Sequence, residues 1–105
     1  MATLNVYKRR RNVKTIDLGI DVSSDTFESQ VRSEKNHTSA LIATWDISFV
    51  TDGTDGKLEI IIDDASLLDV IQKKGYMDIK RISGGEPYPV FEGFVTVIFH
   101  EVATA

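Results

Sequence analysis

The sequence predicts an all-β domain: an antiparallel, immunoglobulin-like β-sandwich of about six or seven short strands, with one short helix around residues 64–74. Three observations carry this. Apolar and polar residues alternate with period two over segment after segment. Glycine, aspartate and proline punctuate the intervals. One stretch alone switches to helical spacing. A chain of 105 residues holds one core and no more, so residues 13–105 are expected to form the sandwich and residues 1–12 a basic amino-terminal arm.

The first alternating run is "KTIDLGIDV" (14–22), where Ile16, Leu18, Ile20 and Val22 share a face. In "TFESQVRS" (26–33), Phe27 and Val31 oppose Glu28, Gln30 and Arg32. "ALIATWDISFV" (40–50) points Leu41, Ala43, Trp45, Ile47 and Phe49 one way, and "KLEIIID" (57–63) does the same with Leu58, Ile60 and Ile62. One wet face per strand is the mark of antiparallel sheets. The Asp-Gly steps of "TDGTDGK" (51–57) signal a hairpin, because both residues tolerate the positive φ that a tight connection needs. "SEKNHTS" (33–39) reads as an exposed loop. "SGGEPYP" (83–89) reads as a turn whose prolines exclude a central strand.

"DDASLLDVIQKKG" (63–75) breaks the alternation. Asp64, or Ser66 with Asp69, could cap a helix. Leu67, Leu68 and Ile71 follow at helical spacing, Lys73 and Lys74 suit a last turn, and Gly75 stops it. The final run, "FEGFVTVIFHEV" (91–102), is apolar on both faces. Phe91, Val95, Val97 and Phe99 form one row, and Phe94 and Ile98 form the other. The expected core is Trp45 at its centre with Ile47, Phe49, Leu58, Ile60, Val95 and Val97. Phe94 and Ile98 are then left for a partner, and burying both would contribute about 3–6 kcal/mol before ordering costs.

The chain carries a net charge of −4, yet its first 14 residues hold Lys8, Arg9, Arg10, Arg11 and Lys14 with no acid. An acidic body with a basic front end suits assembly, the Lys8–Arg11 run reaching an acidic neighbour. The same run could neutralise phosphates, but the acidic remainder would repel a nucleic acid and no further aromatics interleave with the cations. No apolar run approaches the ~20 residues that span a bilayer, and "MATLNVYKRRRN" lacks the apolar core of a signal peptide. The expectation is therefore a soluble protein made in a cytoplasm, without a membrane partner.

Reactive chemistry finds little purchase. With no cysteine, disulfides, thiol catalysis and cysteine-held zinc are excluded. Asp52, Asp55, Asp63 and Asp64 lack the calcium-loop spacing and its distal glutamate. His37 sits in a polar loop and His100 on a strand, with neither nucleophile nor orienting acid indicated. "SGGEP" has no helix behind it to hold phosphate. No catalytic, metal or cofactor residue is assigned, and no enzyme is expected.

Four stretches carry a resemblance: "DTFESQVRS", "IATWDISFVTDGTDGKLEIIID", "KKGYMDI" and "FEGFVTV". Gln30 and Arg32 stand in a Gln-x-Arg strand, Ala43 and Trp45 in the next. Asp55, Gly56 and Leu58 form an Asp-Gly-x-Leu hairpin, Gly75 and Tyr76 an adjacent Gly-Tyr step, and Gly93, Val95 and Val97 a Gly-x-Val-x-Val strand. In this order over residues 14–103 the chain resembles small structural proteins of tailed bacteriophages, and is similar to the amino-terminal β-sandwich of the lactococcal siphophage upper baseplate protein. The resemblance implies a non-catalytic virion component made in the host cytoplasm, present in several copies and joined to other virion proteins at the tail, baseplate or fibre attachment region. A capsid decoration protein is an alternative. From other classes, a small nucleic-acid-binding protein or an immunoglobulin-like ligand-binding module remains open.

Overall fold

The computed structural model describes residues 3–63 and 70–104. Eight strands make up its regular structure: β1 (Thr3–Tyr7), β2 (Asn12–Asp17), β3 (Thr26–Arg32), β4 (Leu41–Phe49), β5 (Lys57–Ile62), β6 (Lys74–Ser83), β7 (Glu86–Pro89) and β8 (Val95–His100). They pair in the order β1-β8-β6-β3-β4-β5-β2, and β7 pairs with β6 beyond the point where β8 leaves it. The all-β class is as expected. The sheet is mixed rather than wholly antiparallel, because β1 runs parallel to β8, Thr3 opposite Thr96 and Tyr7 opposite His100.

The sheet curls until its two ends almost meet. β1 and β2 are the outermost strands of the order, yet only residues 8–11 separate them in sequence. Asn12, 6 % exposed, closes the seam. Its Oδ1 accepts from the Tyr7 backbone N–H at 3.0 Å, and its Nδ2 donates to the carbonyls of Tyr7 and Arg10, each at 3.0 Å. A carboxamide offers the same donor and acceptor as a peptide unit, so this side chain stands in for a missing ladder pair. Residues 3–12 thus form a strand and a turn, where the sequence suggested an arm. Leu4 and Val6 of β1 are fully buried, and each contributes about 1.5–3 kcal/mol by leaving water.

The core joins Leu4, Val6, Val31, Trp45, Ile60, Met77, Ile79, Val95, Val97 and Phe99. Trp45 lies within it as expected, its Nε1 donating to the Met77 sulfur at 3.3 Å. Leu58 is also buried. Ile47 and Phe49, expected in the core, are only half-buried. The cause is β4, which pairs with β3 as far as Trp45 and with β5 from Asp46 onward. Past that switch it has left β3, so its last inward residues line a gap.

Alternation fails at two more places. A β-bulge where Val31 passes to Arg32 skips Ile42 in the β3–β4 register. Ile42 consequently packs against the core while Leu41 is exposed. Strand β2 ends at Asp17, so Ile20 lies in a loop and is 49 % exposed. That loop docks on the next hairpin, Leu18 N–H to Gly56 O at 2.8 Å and Val22 N–H to Gly53 O at 2.9 Å.

Of the helix expected around 64–74, residues 64–69 lie outside the described residues. The described remainder is not helical: Val70–Gln72 are irregular and Lys74 already opens β6. Two lysines and a glycine that suit a helix end suit the entrance to a strand equally well. "SGGEPYP" is a hairpin, Gly84 and Gly85 turning β6 into β7. The latter is an exposed edge strand whose Pro87 and Pro89 deny hydrogen bonds to further strands.

Candidate functional site

The outer face of β3, β6 and β8 carries a surface cleft. Register sets Arg32 beside Tyr76 and Tyr76 beside Thr96, with Gln30 beside Asp78 in the next row. Phe94, just before β8, borders the same rows. The hairpin loop 33–39 adds Lys35, Asn36 and His37, closing a surface cleft of about 390 Å³.

Arg32 organises it. Its Nη1 donates to Ser39 O and its Nη2 to Gln30 Oε1, both at 2.9 Å, tying loop to sheet. The loop is held within itself by Ser39, whose hydroxyl donates to Asn36 O, and by Asn36 Oδ1, which accepts from the Thr38 N–H and hydroxyl. The Nε of Arg32 is buried and has no hydrogen-bond partner among the described residues. Two ammonium groups face the Tyr76 ring, Lys35 at 5.3 Å and Lys74 at 5.4 Å from its centre, a favourable arrangement for a ring's negative face. Phe94 is 43 % exposed. An aromatic wall and planar amide and guanidinium groups thus line the cleft beneath a cationic rim.

Phe94 is where the sequence reading places it, on the outer face. Ile98 shares that face but lies between Asn5 and Lys74 in register, half-buried and away from the cleft. Lys8, Arg9, Arg10 and Arg11 form the β1–β2 turn and are not near Phe94. Lys8 Nζ meets Glu101 at 2.8 Å, both Arg10 Nη atoms donate to Thr104 O at 3.1 Å, and Arg11 faces Asp63 at 3.7 Å. The Lys8 hydrogen bond and charge hold the Glu101 carboxyl below its usual range. Tyr7 stacks on His100 with centroids 4.8 Å apart, and His100 Nε2 lies 2.9 Å from Asn5 Oδ1.

The contribution of loop 33–39 was not legible in the sequence, since "SEKNHTS" reads only as polar. Gln30, Arg32, Gly75 and Tyr76 had a signal, the motifs of the phage-protein resemblance. A second cleft of about 400 Å³ opens where β3 and β4 part, floored by Phe27 and Phe49, whose rings meet edge to face at 6.4 Å. Beside it Asp25 is buried, its carboxyl held below the usual range by the Ser83 hydroxyl and by Arg81, whose Nε is 2.6 Å away.

No family model matches the chain, and no curated protein is significantly similar to it.

Proposed function

We propose that this protein is a non-catalytic structural component of a tailed-bacteriophage virion. In this reading it assembles onto the tail, baseplate or fibre attachment region through protein–protein contacts. The observation that carries it is convergence. Gln30 and Arg32, from one motif of the resemblance, and Tyr76, from another, line one cleft with the exposed Phe94. The near-closed sheet then works as a two-layer sandwich whose halves share β4, one layer presenting the cleft to a neighbouring virion protein.

The basic turn favours this reading over nucleic acid. Lys8, Arg10 and Arg11 are engaged by Glu101, Thr104 and Asp63, so a phosphate backbone would have to compete for them. The test is Phe94→Ser combined with Ile98→Ser. Phe94 is exposed and Ile98 half-buried, so the double variant should keep its circular dichroism spectrum and lose its place in purified particles. A variant that enters particles at the normal copy number, or a parent protein that immunogold labelling never finds on virions, overturns the proposal.

A further inference from the structure

The backbone direction of every residue in β2 follows from its pairing. Leu18 N–H donates to Gly56 O at 2.8 Å, and this pair continues the β2–β5 register, in which Asp17 stands opposite Lys57 and Ile16 opposite Leu58. In an antiparallel ladder, residues that exchange hydrogen bonds with the neighbour alternate with residues whose N–H and C=O point away from it. Asn12, Lys14 and Ile16 therefore bond to β5, and Val13, Thr15 and Asp17 turn their backbone groups outward. The far side of β5 agrees. Val50 N–H donates to Lys57 O at 3.1 Å, so Lys57 faces β4 and Leu58 faces β2. Beyond β2 the sheet order holds no further strand. The Asn12 carboxamide ties the turn to Tyr7, and past it no hydrogen bond joins β1 to β2 among the described residues. The side chains of Val13, Thr15 and Asp17 are exposed, Val13 at 39 %.

Such an edge is a template for another strand, and folded proteins blunt it with proline, a bulge or a cover. Strand β7 carries Pro87 and Pro89, and on β1 the outward groups of Tyr7 are taken by Asn12. Strand β2 has neither proline nor glycine, and its register with β5 runs unbroken over all six residues. Its lysine, Lys14, is half-buried on the inner face with Asn12 and Ile16.

We infer that two copies of this chain associate through β2, the strands running antiparallel about a two-fold axis at Thr15, so that two sheets become one. An axis normal to the sheet keeps each face on its own side, so only residues of like parity stand opposite. Thr15 then meets Thr15 of the second copy, and Val13 meets Asp17 on either side of it. All the outward groups of the strand are satisfied together, in about six interchain hydrogen bonds. Moving the axis to Lys14 would oppose two ammonium groups, and moving it to Ile16 would set Val13 against Gly19, beyond the strand. The occupant is a second copy because β2 supplies what its own edge lacks: an extended segment of equal length, with outward groups at the same spacing. Across the axis Asp17 faces Val13 and Lys14 faces Ile16, so no charge directly opposes its like, and a Thr–Thr pair is a favourable cross-strand neighbour. The contact is isologous and closes at two copies. It stands independently of the virion reading.

Amide exchange followed by NMR on the purified full chain, from about 10 μM to about 1 mM, tests it. In dilute protein the N–H groups of Val13, Thr15 and Asp17 should exchange fast while those of Lys14 and Ile16 are protected. At high concentration the first three should slow by roughly tenfold or more, as sedimentation velocity shows a dimer and nothing larger. Thr15→Pro removes an N–H that a single molecule does not use, which an edge strand tolerates. It should keep its circular dichroism spectrum and remain monomeric. If it melts early, Thr15→Lys replaces it, keeping the backbone and setting two ammonium groups face to face on the axis, with a loss of roughly tenfold or more in association constant. A wild type monomeric at about 1 mM, a dimer whose protection appears at Thr3 and Asn5 instead of β2, or a folded Thr15 variant that dimerises like the parent overturns the inference. Particle incorporation is a separate readout. Protein that dimerises in this way but never enters virions defeats the virion reading alone, and protein that enters them yet stays monomeric in solution defeats the two-fold pairing alone.

Discussion

Asn12→Ala should open the seam between β1 and β2. The carboxamide is 6 % exposed and makes three hydrogen bonds, all at 3.0 Å, to the backbone of Tyr7 and Arg10. A typical internal hydrogen bond contributes about 0.5–1.5 kcal/mol net, and a buried partner left unsatisfied costs about 1–3 kcal/mol. Tyr7 is 45 % exposed, so water can recover part of what its backbone loses, and the sum falls near 2–4 kcal/mol. Against a total stability of roughly 5–15 kcal/mol that is a large fraction. Urea denaturation should show a lower midpoint with an unchanged slope, since the same surface is exposed on unfolding. Amide exchange should quicken in β1 and β2 ahead of β3 and β6. Asn12→Asp should be at least as damaging, because an ionised carboxylate would face the Tyr7 and Arg10 carbonyls without a proton to offer. A loss under about 0.5 kcal/mol for the alanine variant, or exchange rates in β1 that do not move, would show that the curl of the sheet is held by core packing alone.

Two further outcomes follow from local geometry. At Gly56, φ is +75° and a Cβ would collide with the Ile20 carbonyl oxygen, whereas Gly84, at φ +59°, has nothing within 4 Å. Gly84→Ala should therefore cost about 1–2 kcal/mol for its backbone conformation alone, and Gly56→Ala distinctly more by thermal melting; equal costs would mean the loops do not clasp. Hydrogen bonds from Thr54 and from Ser23 hold the carboxyls of Asp52 and Asp21 below 3.8. Depressed values in the folded state give stability that is present above the unfolded value and lost as pH falls through the folded one. Asp21→Asn with Asp52→Asn should thus lose less melting temperature than the parent between about pH 5 and pH 2, and parallel pH profiles would refute the assignment.

Most of the fold was legible wherever one face of a strand meets the core and the other meets water. The alternation of β3, β4 and β5 is such a case, and Trp45 is buried within the core. Legibility ended where tertiary geometry overrides period two. A bulge moves Ile42 inward and Leu41 outward. The passage of β4 from β3 to β5 leaves Ile47 and Phe49 at a rim. Strand β1 was hidden because "TLNVY" is short and leads straight into cations, and nothing local says that its partner stands at the far end of the sequence. The cleft was half legible, for its framework residues lie on strands with a motif, whereas the loop that completes it is specified only by Arg32 reaching Ser39.

The parallel pairing of β1 with β8 changes the meaning of the basic run. Thr3 and Thr96 are register partners, so this contact closes nearly the whole sequence into one loop, and closing a long loop costs entropy that local hairpins do not face. A pair formed at such cost gains from interactions that tie both strands together at once. Lys8 does this twice, its backbone N–H donating to His100 O at 3.0 Å and its ammonium meeting Glu101. Tyr7 stacked on His100 and Arg10 on Thr104 O extend the same fastening. Exposed ion pairs are worth little singly, but these contacts share one pair of strand ends, so forming the first holds the partners of the others in place. Arg9 alone of the four cations is left without a side-chain hydrogen bond or ion pair among the described residues, and it adopts φ +60°, a conformation that costs a non-glycine residue about 1–2 kcal/mol. A glycine would serve the turn better. An arginine occupies it nonetheless, and its charge adds to those of Lys8 and Lys73 on the Glu101 carboxylate, the partner in that fastening.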